Sequence, residues 1–257
     1  MSIAVVSCAM VSTICTVLST PIQANEPGFK DDFQTLDRSR WYVSSGWTNG
    51  DHQNCLWHED QVEISNETDR LLLSLSDVPR GDHEYSCGEI QSDSSFGYGI
   101  YEARLRTSFA SGVNSNFFTH IGAPQDLPHN EIDFEFIVQP GEGPVIQSNY
   151  FTNDEGGNEV LHPVDDEGRE FHVYAFEWTP DHLRWYINGA LIREEAEADI
   201  PEPPQKIYFS IWSTGTLIDW MGPLEYPDTP LVLEVDYVAF QPLNSGCAFI
   251  NSIPCSE

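Results

Sequence analysis

The chain has 257 residues and carries 41 acidic against 11 basic side chains, a formal net charge of −30, with lysine only at Lys30 and Lys206. So negative a surface repels phosphate backbones, which excludes nucleic acid as a partner. The charge serves solubility or, in a sharper reading, adaptation to salt, where ions screen the self-repulsion; under the second the melting temperature should rise with NaCl, and one that does not rise would remove it.

Residues 1–24 open with "IAVVSCAMVSTICTVLST". The run is too short and too rich in Ser, Thr and Cys for a membrane span, and it reads as a signal peptide cleaved after Ala24, although no Lys or Arg precedes it. This predicts a secreted or periplasmic protein, free of the membrane after cleavage, monomeric, with residues 25–257 as one domain. Four cysteines follow: Cys55, Cys87, Cys247 and Cys255. In an exported chain they predict two disulfides, with three pairings open. A Cys247–Cys255 staple of the tail would leave Cys55 with Cys87.

Helical periodicity is missing. Short alternating segments broken by Gly, Pro, Asn and Asp recur instead. "QVEIS" and "RLLLSLS" flank the turn-like "NETD". "GYGIYEARLRTSF" puts Ile100, Glu102, Arg104 and Arg106 opposite Tyr101, Ala103 and Leu105. "SNFFTHI", "HNEIDFEFI", "PVIQSNYF", "FHVYAFEW", "LRWYING", "KIYFSIW" and "LVLEVDYVAF" continue the pattern, and the Asn-Gly of "YINGALI" marks a hairpin. About a dozen strands predict an all-β jelly roll of two packed antiparallel sheets. Phe117, Phe118 and Phe176 are expected in its core. Trp47 and Trp212, near turns, are expected as exposed stacking platforms for sugar.

"HNEIDFEFI" holds Glu131, Asp133 and Glu135 at alternate positions, so the three acids share one strand face. In a strongly acidic protein that could be a solvated face. It also suits glycoside cleavage, in which one carboxylate attacks and a second carboxylic acid protonates the leaving oxygen, with the two about 5–5.5 Å apart in a retaining enzyme. On a straight strand residues four apart are separated by roughly 13 Å, so Glu131 and Glu135 can cooperate only where the strand curves concavely. Asp133 would then share a hydrogen bond with Glu131, and mutual repulsion would raise the proton donor's pKa.

"EIDFE" resembles the active-site strand of glycoside hydrolase family 16. "GWTNGDHQNCLW", "CGEIQS", "FGYGIYEAR", "QSNYFTNDEGG", "FHVYAFEW" and "SIWSTGTLIDWMG" resemble blocks of its bacterial 1,3-1,4-β-glucanases, the lichenases. The resemblance covers nearly the whole mature chain. It implies a concanavalin-like curved jelly roll with a glycan cleft on the concave face and catalysis with retention. Glu131 would be the nucleophile, Glu135 the acid/base and Asp133 the helper. Asn49, Glu89 and Asn149 would bind sugar, and Trp212 and Trp220 would wall the cleft. It further implies a Cys55–Cys87 disulfide, no cofactor for catalysis, and a structural calcium at Asp236. His129 stands where lichenases have Trp and Gln91 where they have Arg, which puts mixed-linkage glucan in doubt as the substrate. "FKDDFQTLD", "PHNEIDFE", "TLIDWMG" and the Cys247–Cys255 tail resemble instead the branch that depolymerises succinoglycan, a bacterial exopolysaccharide. The rival from another class is a lectin-like module on the same sandwich, which would need no convergent pair of carboxylates.

Overall fold

The computed structural model describes residues 27–164, 168–196 and 199–245. The predicted signal peptide and the Cys247–Cys255 staple lie outside the described residues. In chain order the strands are β1 (Phe29–Asp31), β2 (Trp41–Val43), β3 (Cys55–Trp57), β4 (Val62–Ile64), β5 (Leu71–Ser76), β6 (Tyr85–Ser92), β7 (Gly99–Thr107) and β8 (Val113–Ile121). They continue as β9 (Asn130–Gln139), β10 (Gly143–Phe151), β11 (Val160–Pro163), β12 (His172–Trp178), β13 (His182–Ile187), β14 (Ala190–Ala196), β15 (Lys206–Ser213) and β16 (Leu231–Pro242). A single-turn helix, α1 (Ile218–Met221), follows β15. Every segment read from the sequence as a strand is one. Among the described residues no helix is long and apolar enough to cross a membrane.

The strands make two packed layers that share one strand. The cleft-bearing layer runs β11-β10-β9-β8-β15-β6, with β2 added along β6. The covering layer runs β14-β13-β12-β7-β16-β5, with β1 on β16 and β4 on β5. Strand β6 belongs to both: Ser86 and Cys87 pair with β5, whereas residues 88–91 pair with β15. Gly88 sits at this crossing, where a Cβ would stand 2.4 Å from the Gln61 carbonyl oxygen, so the position demands glycine. At the β13–β14 hairpin Asn188 and Gly189 both take positive φ, 49° and 82°, as a tight Asn-Gly turn requires.

The two layers meet in an aromatic core. Phe117 stacks on Phe209 within its own layer at 5.0 Å and reaches Phe176 of the covering layer at 5.4 Å. The apolar side of the acidic strand, Ile132, Phe134 and Phe136, is buried in this core, at about 1.5–3 kcal/mol for each side chain fully removed from water. That burial fixes the register, because a one-residue slip would drive three carboxyl groups into the core. Trp185 of β13 adds a directed tie, its Nε1 donating to the Asp133 carbonyl oxygen at 3.1 Å.

A disulfide joins Cys55 of β3 to Cys87 of β6, 32 residues apart in sequence. It closes the segment that carries β4 and β5 and anchors the chain just after Trp47 and Asn49. Replacing both cysteines with serine should cost about 3–4 kcal/mol by the loop-closure relation. Denaturant melts of the double variant check this, with an unchanged midpoint as the contrary result.

Candidate active site

Strand β9 lies between β8 and β10, and the register builds a polar floor around its acids. Glu135 faces Asn116 and Gln147, Asp133 faces Phe118 and Asn149, and Glu131 faces His120 and Phe151. Glu131 and Glu135 line the same cavity of about 530 Å³, with Asn149, Gln147 and Trp220 on its wall. A second cavity of about 650 Å³ reaches from Glu131 across Phe118 and Tyr208 to Glu89, Gln91, Asn49 and Trp47. Glu131 and His129 belong to both. The two together form a cleft across the concave sheet, with room for sugar on both sides of Glu131.

The three acids differ in environment. Glu135 accepts from Asn114 Nδ2 at 3.0 Å and closely from Gln147 Nε2. Enclosure by the cleft pushes its carboxyl up to about 8; the Asn114 bond opposes this and the Glu131 charge adds to it. Burial therefore outranks the mutual repulsion expected from the sequence. Asp133 is 1% exposed. Burial first, then the charges of Glu131 and Glu135, raise its carboxyl well above the usual range. Neither of its oxygens has a protein donor, an arrangement stable only for the protonated acid, whose O–H can turn toward Glu131. Glu131 receives its directed contact from His129, whose Nε2 lies 3.0 Å from Oε2. The result is two carboxyl groups whose burial favours the protonated form, beside a third that faces both halves of the cleft.

The remaining predicted residues fall mostly on the cleft. Glu89 is 2% exposed and accepts from Ser44 Oγ at 2.6 Å; burial raises its carboxyl to about 8. Gln91 accepts from Lys206 Nζ and the Tyr208 hydroxyl, both at 3.4 Å. His129 stacks on Phe151 at 4.4 Å. Asn149 is 3% exposed and its Oδ1 has no protein partner. Trp220, on α1, donates its Nε1 to Gln147 Oε1 at 3.0 Å, so it orders the amide that holds Glu135. Trp47 is exposed as expected.

Two aromatic expectations are corrected. Trp212 is buried, its Nε1 spent on Asn116 Oδ1 at 3.0 Å, because it shares the cleft-facing side of β15 with Tyr208 but is covered by Trp220 at 6.3 Å and His52 at 5.5 Å. Phe118 is not core: the strand period that sends Phe117 inward sends Phe118 to the cleft, where it stacks on Tyr208 at 4.7 Å. Sequence reasoning missed Asn114, Asn116, His120, Gln147, Lys206 and Tyr208. The first three alternate along β8, the same signal that singled out the acids of β9.

Asp236 does not fit a calcium ion. A bulge in β16 between Val235 and Tyr237 turns it outward. There it accepts from Arg70 Nε at 2.8 Å and Arg104 Nη1 at 2.6 Å. Burial raises its carboxyl, but these two hydrogen bonds outweigh it and hold the group below its ordinary range. Neighbouring Glu234 is paired with Arg70 and Arg106, and all three guanidinium groups stack on Phe171. Calcium requires six to eight oxygen ligands, and this carboxylate is already the counter-ion of an arginine cluster.

Comparison with known proteins agrees with this geometry. The family model for Glycosyl hydrolases family 16 matches residues 49–232. Endo-1,3-1,4-beta-glycanase ExoK of Rhizobium meliloti (strain 1021) is 44% identical over 230 residues, 88% of this chain and 83% of that protein. A Beta-glucanase of Acetivibrio thermocellus is 36% identical over 228 residues, 88% of this chain and 64% of that longer protein. Among solved structures, a prokaryotic beta-1,3-1,4-glucanase (lichenase) derived from a mouse hindgut metagenome superposes with a TM-score of 0.78 at 32% identity, over 85% of this chain and 100% of its own.

Proposed function

This chain belongs to glycosyl hydrolases family 16, and we propose that it is a secreted or periplasmic, monomeric, retaining endo-1,3-1,4-β-glycanase acting on a bacterial exopolysaccharide of the succinoglycan type. One observation carries the chemistry: Glu131 and Glu135 line one cavity from one face of β9, with Asp133 between them. The Glu131 carboxylate attacks the anomeric carbon while Glu135 gives its proton to the departing glycosidic oxygen, so the C–O bond breaks with no free alkoxide. Glu135, now a carboxylate, takes a proton from water, whose oxygen displaces Glu131 from the same carbon. Two inversions give net retention. Asp133 returns a hydrogen bond to Glu131 each time it leaves. A sugar hydroxyl bound in place of water would give transglycosylation by the same route.

The substrate reading is supported by the relative named as an endo-1,3-1,4-beta-glycanase and by the cleft's own charge. In a chain with only two lysines, one, Lys206, is placed on the cleft row beside Gln91. It supplies a cation where a neutral glucan needs none and where a carboxylate-bearing polymer does. Succinoglycan and a mixed-linkage β-glucan are to be digested in parallel and followed by size exclusion. Shortening of the exopolysaccharide with little effect on the plant-type glucan is expected, and the reverse would make the protein a lichenase. Lys206→Glu should lower kcat/KM on the anionic polymer about tenfold and change the neutral glucan by less than about twofold. Equal losses on both would mean that Lys206 only props Gln91.

A further inference from the structure

We propose that His120, His129 and Glu131 form a binding site for a divalent transition metal of the zinc class, and that the metal-bound protein does not hydrolyse glycan; the second clause rests on the role given above to Glu131. The strand geometry creates the site. His120 on β8 and Glu131 on β9 are direct partners across the ladder, so both side chains leave the same face of the sheet as neighbours. His129 precedes Glu131 by two residues and shares that face. One ligand atom from each of the three lies within 4.8 Å of the others, the one such grouping of three metal-binding side chains found among the described residues.

The donor distances are near those of a formed site. With metal–donor bonds of about 2.0–2.2 Å, donors in a tetrahedral site stand roughly 3.3 Å apart. His129 Nε2 and Glu131 Oε2 are already 3.0 Å apart, so an ion entering where that hydrogen bond runs needs only His120 to swing in by a side-chain rotation. The His129 ring is held for it, and His120 is flanked by aromatic rings with room to move. His129 lies flat on Phe151, and His120 packs 5.0 Å from the His129 ring and 5.9 Å from Tyr208. Gly122 leaves the space beside His120 open; a Cβ there would stand 3.0 Å from His120 Nε2.

The donor chemistry selects the ion. Two imidazoles and one carboxylate with an open fourth position suit zinc, cobalt, nickel and copper, while calcium and magnesium require more oxygen. The net charge of −30 raises the local concentration of any cation. Ligation takes the Glu131 lone pair that would attack the anomeric carbon, and places the ion in the space where that carbon approaches, so metal and glycan exclude one another.

The test separates binding from activity. The EDTA-treated mature protein is titrated with zinc chloride by calorimetry, and with cobalt(II) by visible absorption, which reports four-coordinate ligation directly. One zinc per chain is expected, with affinity at least about tenfold weaker in His120→Gln and in His129→Gln, each first checked for its fold by circular dichroism. Zinc should inhibit hydrolysis competitively with glycan, and EDTA should restore it. Absence of stoichiometric binding, or binding unchanged in both histidine variants, overturns the site. Binding with undiminished hydrolysis overturns the exclusion while leaving the site. The role of Glu131 is decided separately, by substitution in metal-free buffer.

Discussion

Glu131→Gln is expected to lose at least about 10⁴-fold in kcat on any glycan the wild type cleaves, because an amide oxygen does not replace a carboxylate in covalent attack. The fold should survive. The amide keeps the shape, and its oxygen still accepts from His129, which now contacts the carboxylate at 3.0 Å. It also removes a charge that presses on both Asp133 and Glu135, so the melting temperature should hold or rise. Reaction products distinguish this residue from Glu135. With Glu131→Ala and an activated glycoside, added azide can enter the vacated space, attack the anomeric carbon once and give an azide of inverted configuration. With Glu135→Ala the glycosyl-enzyme still forms, and azide then displaces Glu131, giving retained configuration. Inverted product from Glu135→Ala, or more than about 1% residual activity in Glu131→Gln, would exchange or cancel the assigned roles.

The shared face of the three acids was legible because period-two alternation is an unusually clean signal when acids and aromatics interleave, as in Ile132, Asp133, Phe134 and Glu135. The hairpin at Asn188-Gly189 was equally plain, since both positions need a backbone that few residues adopt. What stayed hidden depends on which strands lie side by side. Lys206 and Gln91 are far apart in sequence and meet only because β15 pairs with β6. Gln147 reaches Glu135 because β10 returns along β9 in one register and no other. Trp212 misled because nearness to a turn says nothing about depth. Asp236 misled because a bulge, invisible in "LVLEVDYVAF", decides which way it points and gives it two arginines. Local pattern thus identified the strands and the acids, and long-range pairing supplied the groups that tune them.

The cleft should also make this protein less stable as pH rises, through carboxyl groups rather than through bases. Glu89 titrates near 8 when folded and at its ordinary 4.5 when unfolded, because burial disfavours its charge and the Ser44 hydrogen bond offsets only part of that. A carboxyl raised in this way holds its proton more tightly in the native state. Below about pH 4.5 both states are protonated and the group is neutral toward folding. Between 4.5 and 8 the unfolded chain has released the proton and the folded chain has not, so stability falls with each pH unit. Above 8 both are ionised and the full penalty applies, with a ceiling of about 5 kcal/mol. Glu89→Gln keeps the Ser44 contact and cannot ionise. Its melting temperature should match the wild type near pH 4, then pull ahead as pH rises and level off above 8. The gain at that plateau should be at least about 2 kcal/mol, or roughly 5 °C in a domain of this size. Taking the difference between two proteins at each pH cancels the self-repulsion of the acidic surface, which titrates in both. Glu135→Gln should follow the same curve and, unlike Glu89→Gln, should remove the loss of hydrolysis that the wild type shows as pH climbs through about 8, because the proton lost there is the one delivered to the leaving oxygen; what activity remains in it will be slight and level. A Glu89→Gln difference that does not change with pH would mean that Glu89 is ionised in the folded protein at neutral pH. The concave floor would then carry a buried charge where the geometry calls for a proton, and the cleft would meet its substrate with an acceptor rather than a donor.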